Sequence, residues 1–128
     1  MSKTNFLEDK IINHVLRNTA YTQPTTVYVA LFTTATDETG AGTEVTGGSY
    51  ARQSVAFDAP SPAGETQNAA QITFPVATGS WGTVTHFAIM DAVSAGNMLY
   101  QAALAVSKVV GIGDQLIFAD GALQIDET

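Results

Sequence analysis

The segment GSWGTVTHFAIMDA, residues 79–92, shows most clearly which class of structure the chain adopts. It is rich in β-branched and aromatic residues and has no helical spacing, so it predicts a strand. Side chains alternate in a strand, which places Trp81 and Asp91 on one face and His86 on the other. His86 and Asp91 therefore cannot form a catalytic pair within this segment.

Comparable strand-like runs lie on both sides of this segment. Three such runs come before it, at residues 25–34 (TTVYVALFTT), 50–59 (YARQSVAFDA) and 70–78 (AQITFPVAT). One comes after it, at residues 97–106 (NMLYQAALAV). Pro75 cannot donate a ladder hydrogen bond, so its strand is expected at an edge or at a bulge. Residues 109–127 predict two more strands joined as a hairpin at Asp120-Gly121.

One amphipathic helix precedes the strands. Asn5 is a suitable N-cap with Glu8 three residues later, and Leu7, Ile11 and Val15 recur at helical spacing. The helix is expected over residues 6–17. The whole pattern predicts an all-β fold, an antiparallel jelly-roll-like β-sandwich with a short N-terminal α-helix. We expect a single domain over residues 1–128, with the helix and lead-in at 1–20 and the sandwich at 25–128.

Charge and composition exclude several classes of partner. The net charge is −7, and the five basic residues are scattered, so we expect no nucleic-acid binding. The chain has no cysteine, which removes disulfides, thiolate nucleophiles and cysteine-ligated metals. No apolar run is long enough for a membrane span and the first residues lack the pattern of a signal peptide, so we expect no membrane partner.

Catalytic and ligand-binding motifs are also missing. TGSWG at residues 78–82 departs from the nucleophile elbow G-x-S-x-G at its first position and precedes a strand. His14 and His86 have no second ligand at usable spacing, and DETGAGTE at residues 37–44 lacks the EF-hand register. GIGDQL at residues 111–116 fails the phosphate-binding pattern. We therefore predict no enzyme activity, no catalytic or metal residues and no cofactor.

The apolar content is high for a free monomer. Hydrophobic residues make up 45% of the chain and charged residues 13%. Several strands are apolar on both faces, so part of the second face is expected to be covered by the helix and part by another protein. Loops that cover central strands are the alternative. The candidate interface residues are Trp81, Tyr28, Phe32, Tyr50, His86 and Tyr100.

Three stretches give the chain a family resemblance. Residues 12–34 (INHVLRNTAYTQPTTVYVALFTT), 43–57 (TEVTGGSYARQSVAF) and 72–104 (ITFPVATGSWGTVTHFAIMDAVSAGNMLYQAAL) resemble a family of small tailed-bacteriophage virion proteins, commonly labelled tail fibre proteins. Capsid decoration (cement) proteins of phage heads have a similar size. The resemblance covers nearly the whole chain and implies a structural role in the virion.

Within that resemblance we expect first a capsid decoration protein. It would be made in the bacterial cytoplasm, bind the outside of the phage head and bridge major capsid protein subunits, as a homo-oligomer (dimer or trimer). A tail fibre, baseplate or head-fibre component that contacts host glycans through Trp81 or the tyrosines is the alternative. A small enzyme or carbohydrate-binding module is a third hypothesis.

Overall fold

The computed structural model describes residues 1–127, and this range contains one α-helix and nine β-strands. The elements are, in chain order, β1 (Ser2–Lys3), α1 (Asn5–Leu16), β2 (Val27–Phe32), β3 (Gln53–Val55), β4 (Glu65–Gln67), β5 (Ile72–Thr73), β6 (Gly82–Met90), β7 (Met98–Val110), β8 (Ile117–Phe118) and β9 (Gln124–Asp126). The long strands β2, β6 and β7 coincide with the most β-branched and aromatic runs of the sequence.

Five strands form the main sheet, in the order β1-β7-β6-β2-β3, and all of its pairs are antiparallel. The strands β4 and β9 pair as one short ribbon, and β5 and β8 pair as another. These antiparallel sheets with one short N-terminal helix confirm the predicted all-β sandwich class. The further prediction of a single domain over residues 1–128 stays a prediction.

The main core lies between the five-stranded sheet and the two ribbons. The sheet contributes Leu31 and Ile89, which are almost fully buried, and the ribbons contribute Ile72, Phe118 and Ile125. The opposite face of the sheet carries a second, smaller cluster, which consists of Ala30, Phe32, Ala88, Met90 and Met98. Apolar residues on both faces of β2 and β6 are therefore buried within the chain, which accounts for much of the apolar content of these strands.

The first turn of α1 is fixed to the start of β7. Thr4 is the N-cap: its Oγ1 accepts a hydrogen bond from the Leu7 backbone N–H at 3.4 Å and donates one to the Met98 carbonyl at 2.5 Å. The predicted cap, Asn5, is instead the first helical residue. The helix was thus predicted correctly, but its cap lies one residue earlier because Thr4 also hydrogen-bonds to the sheet.

An irregular pairing between β6 and β7 changes which side chains face the core. Val84 pairs with Lys108, whereas His86 pairs with Ala103, so residues 104–107 of β7 lie opposite Thr85 alone. The strict alternation predicted from the sequence fails here. Val84 is fully buried in the main core together with Phe87, although a regular strand would place them on opposite faces.

Three other expectations are corrected by the structure. The strands β8 and β9 pair with β5 and β4, not with each other, so Asp120-Gly121 forms a turn with Gly121 at φ +75° but no hairpin. The strand β4 lies in a Pro- and Gly-containing stretch, residues 60–68, where the sequence predicted no strand. The strand expected over residues 70–78 is only the short β5 and ends before Pro75, although β5 does lie at an edge because β8 is its one partner in the ribbon.

Candidate interaction surfaces

Two of the predicted interface residues, Trp81 and Phe32, are core residues, each 4% exposed. The Trp81 ring packs edge-on against Tyr50, with 5.4 Å between ring centroids, and its Nε1 donates a hydrogen bond to the Gly48 carbonyl at 2.9 Å. These contacts use both the apolar ring and the polar N–H of the indole. Both side chains have a packing role within the chain, and the prediction that Trp81 and Phe32 contact a partner stays a prediction.

Tyr50 is engaged in a hydrogen-bond network inside the chain. Its hydroxyl donates to Glu44 Oε2 at 2.6 Å and accepts a hydrogen bond from the Leu31 backbone N–H at 3.0 Å. Burial and the hydrogen bond to the Glu44 carboxylate raise the pKa of Tyr50 well above its usual value. The Tyr50 hydroxyl thus joins the loop before β3 to the strand β2.

Arg52 extends this network to the turn between β6 and β7. Its guanidinium forms a forked ion pair with Glu44, with N···O distances of 2.8 Å, and Nη1 donates to the carbonyls of Ala92 and Ala95, both at 2.8 Å. Burial raises the pKa of Glu44, but the hydrogen bonds from Arg52 and Tyr50 and the guanidinium charge outweigh it and hold that pKa below its usual value.

Tyr100 takes part in a second network, which joins the two ends of the described chain. Its hydroxyl donates to Glu127 Oε1, and Glu127 Oε2 pairs with Lys3 Nζ at 2.9 Å. Burial and the hydrogen bond to Glu127 raise the pKa of Tyr100 above its usual value. Tyr100 is partly exposed, so an interface role for it stays a prediction.

Tyr28 and His86 are partly exposed on the sheet face that is opposite the main core. His86 Nδ1 shares a hydrogen bond with Thr85 Oγ1 at 2.8 Å and pairs in register with Phe32, whereas Tyr28 pairs with Met90 at the other end of β2. The structure therefore does not bring the six predicted residues together into one surface. The interface roles of Tyr28 and His86 stay predictions.

The candidate acidic residues for catalysis and metal binding, Asp91 and Asp37, form hydrogen bonds within their own turns. Asp91 accepts hydrogen bonds from the backbone and side chain of Asn97, and so closes the turn between β6 and β7. The Asp37 carboxylate binds the hydroxyl and N–H of Thr39 and the N–H of Ala41, and these hydrogen bonds lower its pKa. No set of three His, Asp or Glu side chains within residues 1–127 is arranged for a metal ion.

A polar cleft that the sequence did not predict lies beside the β4–β9 ribbon. Its volume is about 250 Å³, and its walls include the carboxylates of Asp58, Glu65 and Asp126. Asp58 and Glu65 are close in the sequence, and the distant Asp126 joins them because β4 pairs with β9. No sequence motif connects them, so only the strand pairing reveals the cleft.

Large exposed apolar side chains are concentrated in two places. The first is the last two turns of α1, where Ile12, Val15 and Leu16 are 49%, 67% and 77% exposed; we call this the helix ridge. The second lies around the turn between β7 and β8, where Val109 near the end of β7, Ile112 on the turn and Ile117 in β8 are 75%, 78% and 48% exposed. Helical spacing predicted an apolar stripe along α1, but the sheet covers only the part nearest Leu7.

Within residues 1–127, no helix is both long enough and apolar enough to cross a membrane.

The fold combines antiparallel sheets, side chains held in internal hydrogen-bond networks and exposed apolar patches. These features suit the structural role in the virion that the sequence resemblance implies. A family model described as "Podophage GP4 fiber I protein gp80" matches residues 2–126. The chain belongs to this podophage fibre family, which confirms the resemblance to small tailed-phage virion proteins. No curated protein matches the sequence.

Proposed function

We propose that the protein is a subunit of a podophage fibre and works by binding other virion proteins, without catalysing a reaction. The observation that carries this proposal is the family match, which extends over residues 2–126 and therefore includes the helix and every strand. A fibre subunit has to hold a rigid shape and offer surfaces to its neighbours. The two internal networks and the two exposed apolar patches suit both requirements.

Capsid decoration is the second candidate function. The chain is short, has no internal repeat and forms sheets with a buried core, whereas long fibres are built from extended repetitive segments. On this alternative, copies of the protein bind the major capsid protein on the outside of the phage head and bridge its subunits. The same apolar patches would then contact the capsid, with each interface burying about 800 Å² per partner.

Host-glycan contact is a narrower version of the fibre proposal. Sugar rings are commonly bound on exposed aromatic faces, and the indole of Trp81 is buried in the core. Among the tyrosines, Tyr21 and Tyr28 keep part of their side chains exposed without a role in either hydrogen-bond network. A glycan site could therefore use Tyr21, Tyr28 or the polar cleft of Asp58, Glu65 and Asp126.

Locating the protein on purified virions tests both candidates. An epitope tag placed after Thr128 can be imaged by immunogold electron microscopy, and mass spectrometry can count copies relative to the major capsid protein. A few copies per particle, labelled at the tail or at discrete fibres, would support the fibre proposal. Hundreds of copies spread over the head would support decoration, and absence from the particle would refute both.

A further inference from the structure

We propose that copies of this protein associate head to tail, with the helix ridge of one copy seated in a cleft beside the end of β7 in the next copy. The two surfaces are unlike in shape and lie on different elements of the same chain. When each copy places its ridge on one neighbour and receives the ridge of another in its cleft, the contact is heterologous and builds a ring or an open filament. The inference rests on the proposed function, because a fibre subunit has to meet further subunits.

The helix ridge is a convex apolar surface. Ile12, Val15 and Leu16 are spaced i, i+3 and i+4, so their side chains lie next to each other on one face of α1. Of the apolar residues in the helix, only Leu7, in the first turn, is buried. The last two turns thus present Ile12, Val15 and Leu16 to solvent, each with about half or more of its surface exposed.

The receiving surface is a cleft between the end of β7 and β8, which we call the β7–β8 cleft. It has a volume of about 460 Å³, and its walls include Val109 and Ile117 on opposite strands. Ile112, 78% exposed, stands on the turn between these strands. Val110 and Leu116 also line the cleft, beside the polar Lys108, Asp114 and Gln115. The aliphatic part of such a groove can take the apolar face of a helix, as in other helix-in-groove contacts.

The charges around the two surfaces are complementary. Lys108 and Asp114 are exposed at the β7–β8 cleft. The helix ridge lies at the C-terminal end of α1, where the helix dipole is negative, and is followed by the exposed Arg17. In the docked arrangement Lys108 meets the negative end of the helix and Arg17 meets Asp114. This pairing offsets part of the repulsion between two chains that each carry a net charge of −7.

Neither surface covers the other within one chain. The exposed fractions of Leu16 and Val109, 77% and 75%, show that neither side chain is covered by its own chain. Each surface is therefore available to another copy.

Charged substitutions on each surface test the proposal. Leu16→Glu and Val109→Glu change exposed side chains, and Val93→Glu is the matched control because Val93 is 61% exposed on the turn between β6 and β7, outside both surfaces. Analytical ultracentrifugation of the purified full-length chain measures association. We expect wild type and Val93→Glu to associate equally, and each of the other two variants to weaken association by roughly 30-fold or more, as for the loss of a hot spot.

Mixing the two weakened variants tests whether the helix ridge of one copy binds the β7–β8 cleft of another, and not a second ridge or a second cleft. Wild-type assemblies larger than a dimer distinguish head-to-tail contact from a reciprocal two-fold dimer. Leu16→Glu keeps an intact β7–β8 cleft and Val109→Glu keeps an intact helix ridge, so the mixture is expected to form one-to-one dimers although each variant alone is monomeric. A monomeric wild type, an equal effect of Val93→Glu, or no dimers in the mixture would overturn the proposal. Circular dichroism confirms folding first, and Leu16→Ser with Val109→Thr replaces any charged variant that fails to fold. Because purified protein is used, failure here leaves the location of the protein on the virion an independent question.

Discussion

At the scale of single residues, Trp81 shows how one side chain connects three parts of the chain. Its ring contacts Tyr50 and Phe74, and its N–H reaches the Gly48 carbonyl. Removing the ring would leave a large cavity in the main core and an unpaired carbonyl at Gly48. Trp81 therefore stabilises the fold from inside, and its effect on assembly is indirect.

Trp81→Ala is expected to lower the free energy of unfolding by about 3–5 kcal/mol, because it is a large-to-small change in the core. Urea denaturation followed by circular dichroism measures this. Val93→Ala, an aliphatic side chain that is 61% exposed, serves as the control and should change stability by less than about 0.5 kcal/mol. A Trp81→Ala protein as stable as wild type would show that the ring is not part of the core.

Glu44 makes stability depend on acid pH. Its folded-state pKa lies below the ordinary value of 4.5, so its contribution to stability is present above that value and is lost as pH falls through the folded-state pKa. The free energy of unfolding should therefore decrease below about pH 4.5. Glu44→Gln should destabilise the protein by about 1–3 kcal/mol at neutral pH and flatten this acid dependence.

Unfolding curves recorded at successive pH values test this expectation. Glu38→Gln changes an exposed carboxylate and serves as the matched control, because only the backbone carbonyl of Glu38 holds the start of α1. The control should keep the wild-type dependence on pH. An acid dependence that is as steep in Glu44→Gln as in wild type would contradict the assigned role of the Glu44–Arg52 pair.

At the scale of elements, the loop before β3 depends on a close approach of two backbones. Gly48 has φ +57°, and a Cβ at this position would lie 2.7 Å from the Gly79 carbonyl oxygen and 2.9 Å from Trp81 Nε1. The adjacent Gly47 has φ +73°, but a Cβ there would meet no atom within 4 Å. The two glycines thus separate the effect of backbone conformation from the effect of crowding.

Gly47→Ala is expected to destabilise the protein by about 1–2 kcal/mol, through its positive φ alone. Gly48→Ala should cost a further ~1–3 kcal/mol, because the added methyl group forces the loop away from Trp81. Thermal or urea unfolding of both variants measures the difference. Equal destabilisation by the two substitutions would show that the loop moves without resistance and that the contact with Trp81 is weak.

The elements also show what the sequence could predict and what it could not. Helical spacing around Leu7 predicted α1, and β-branched runs predicted β2, β6 and β7, because these patterns are local. The strand β4 and the pairing of β8 and β9 with separate partners depend on contacts between distant residues. The irregular pairing at Thr85 likewise has no local signal, and it places Val84 in the main core together with Phe87, which strict alternation would put on the opposite face.

The candidate surfaces divide in the same way. From composition we predicted that another protein covers part of the apolar surface, and this stays a prediction. Composition could not tell which apolar residues the chain buries itself. Aromatic rings such as Trp81 and Phe32 are buried, whereas the aliphatic side chains of the helix ridge are exposed. The difference is decided by packing around the sheet, since a large ring gains most from burial in a core.

At the scale of the whole molecule, the contact of Lys3 with Glu127 has a consequence for chain connectivity. The two residues are 124 positions apart in sequence, yet their charged groups are 2.9 Å apart. Joining the two ends through a short glycine-serine linker should therefore leave the sheets undisturbed, and new ends can be opened between Thr22 and Gln23 in an exposed segment. Such a circular permutant is expected to give the wild-type circular dichroism spectrum, whereas one opened between Phe87 and Ala88, inside β6, should not fold. Such a permutant would show that the native contacts do not depend on the point at which the polypeptide begins. A cargo peptide could then be displayed at the new ends, residues 22 and 23, because the linker joins the original ones.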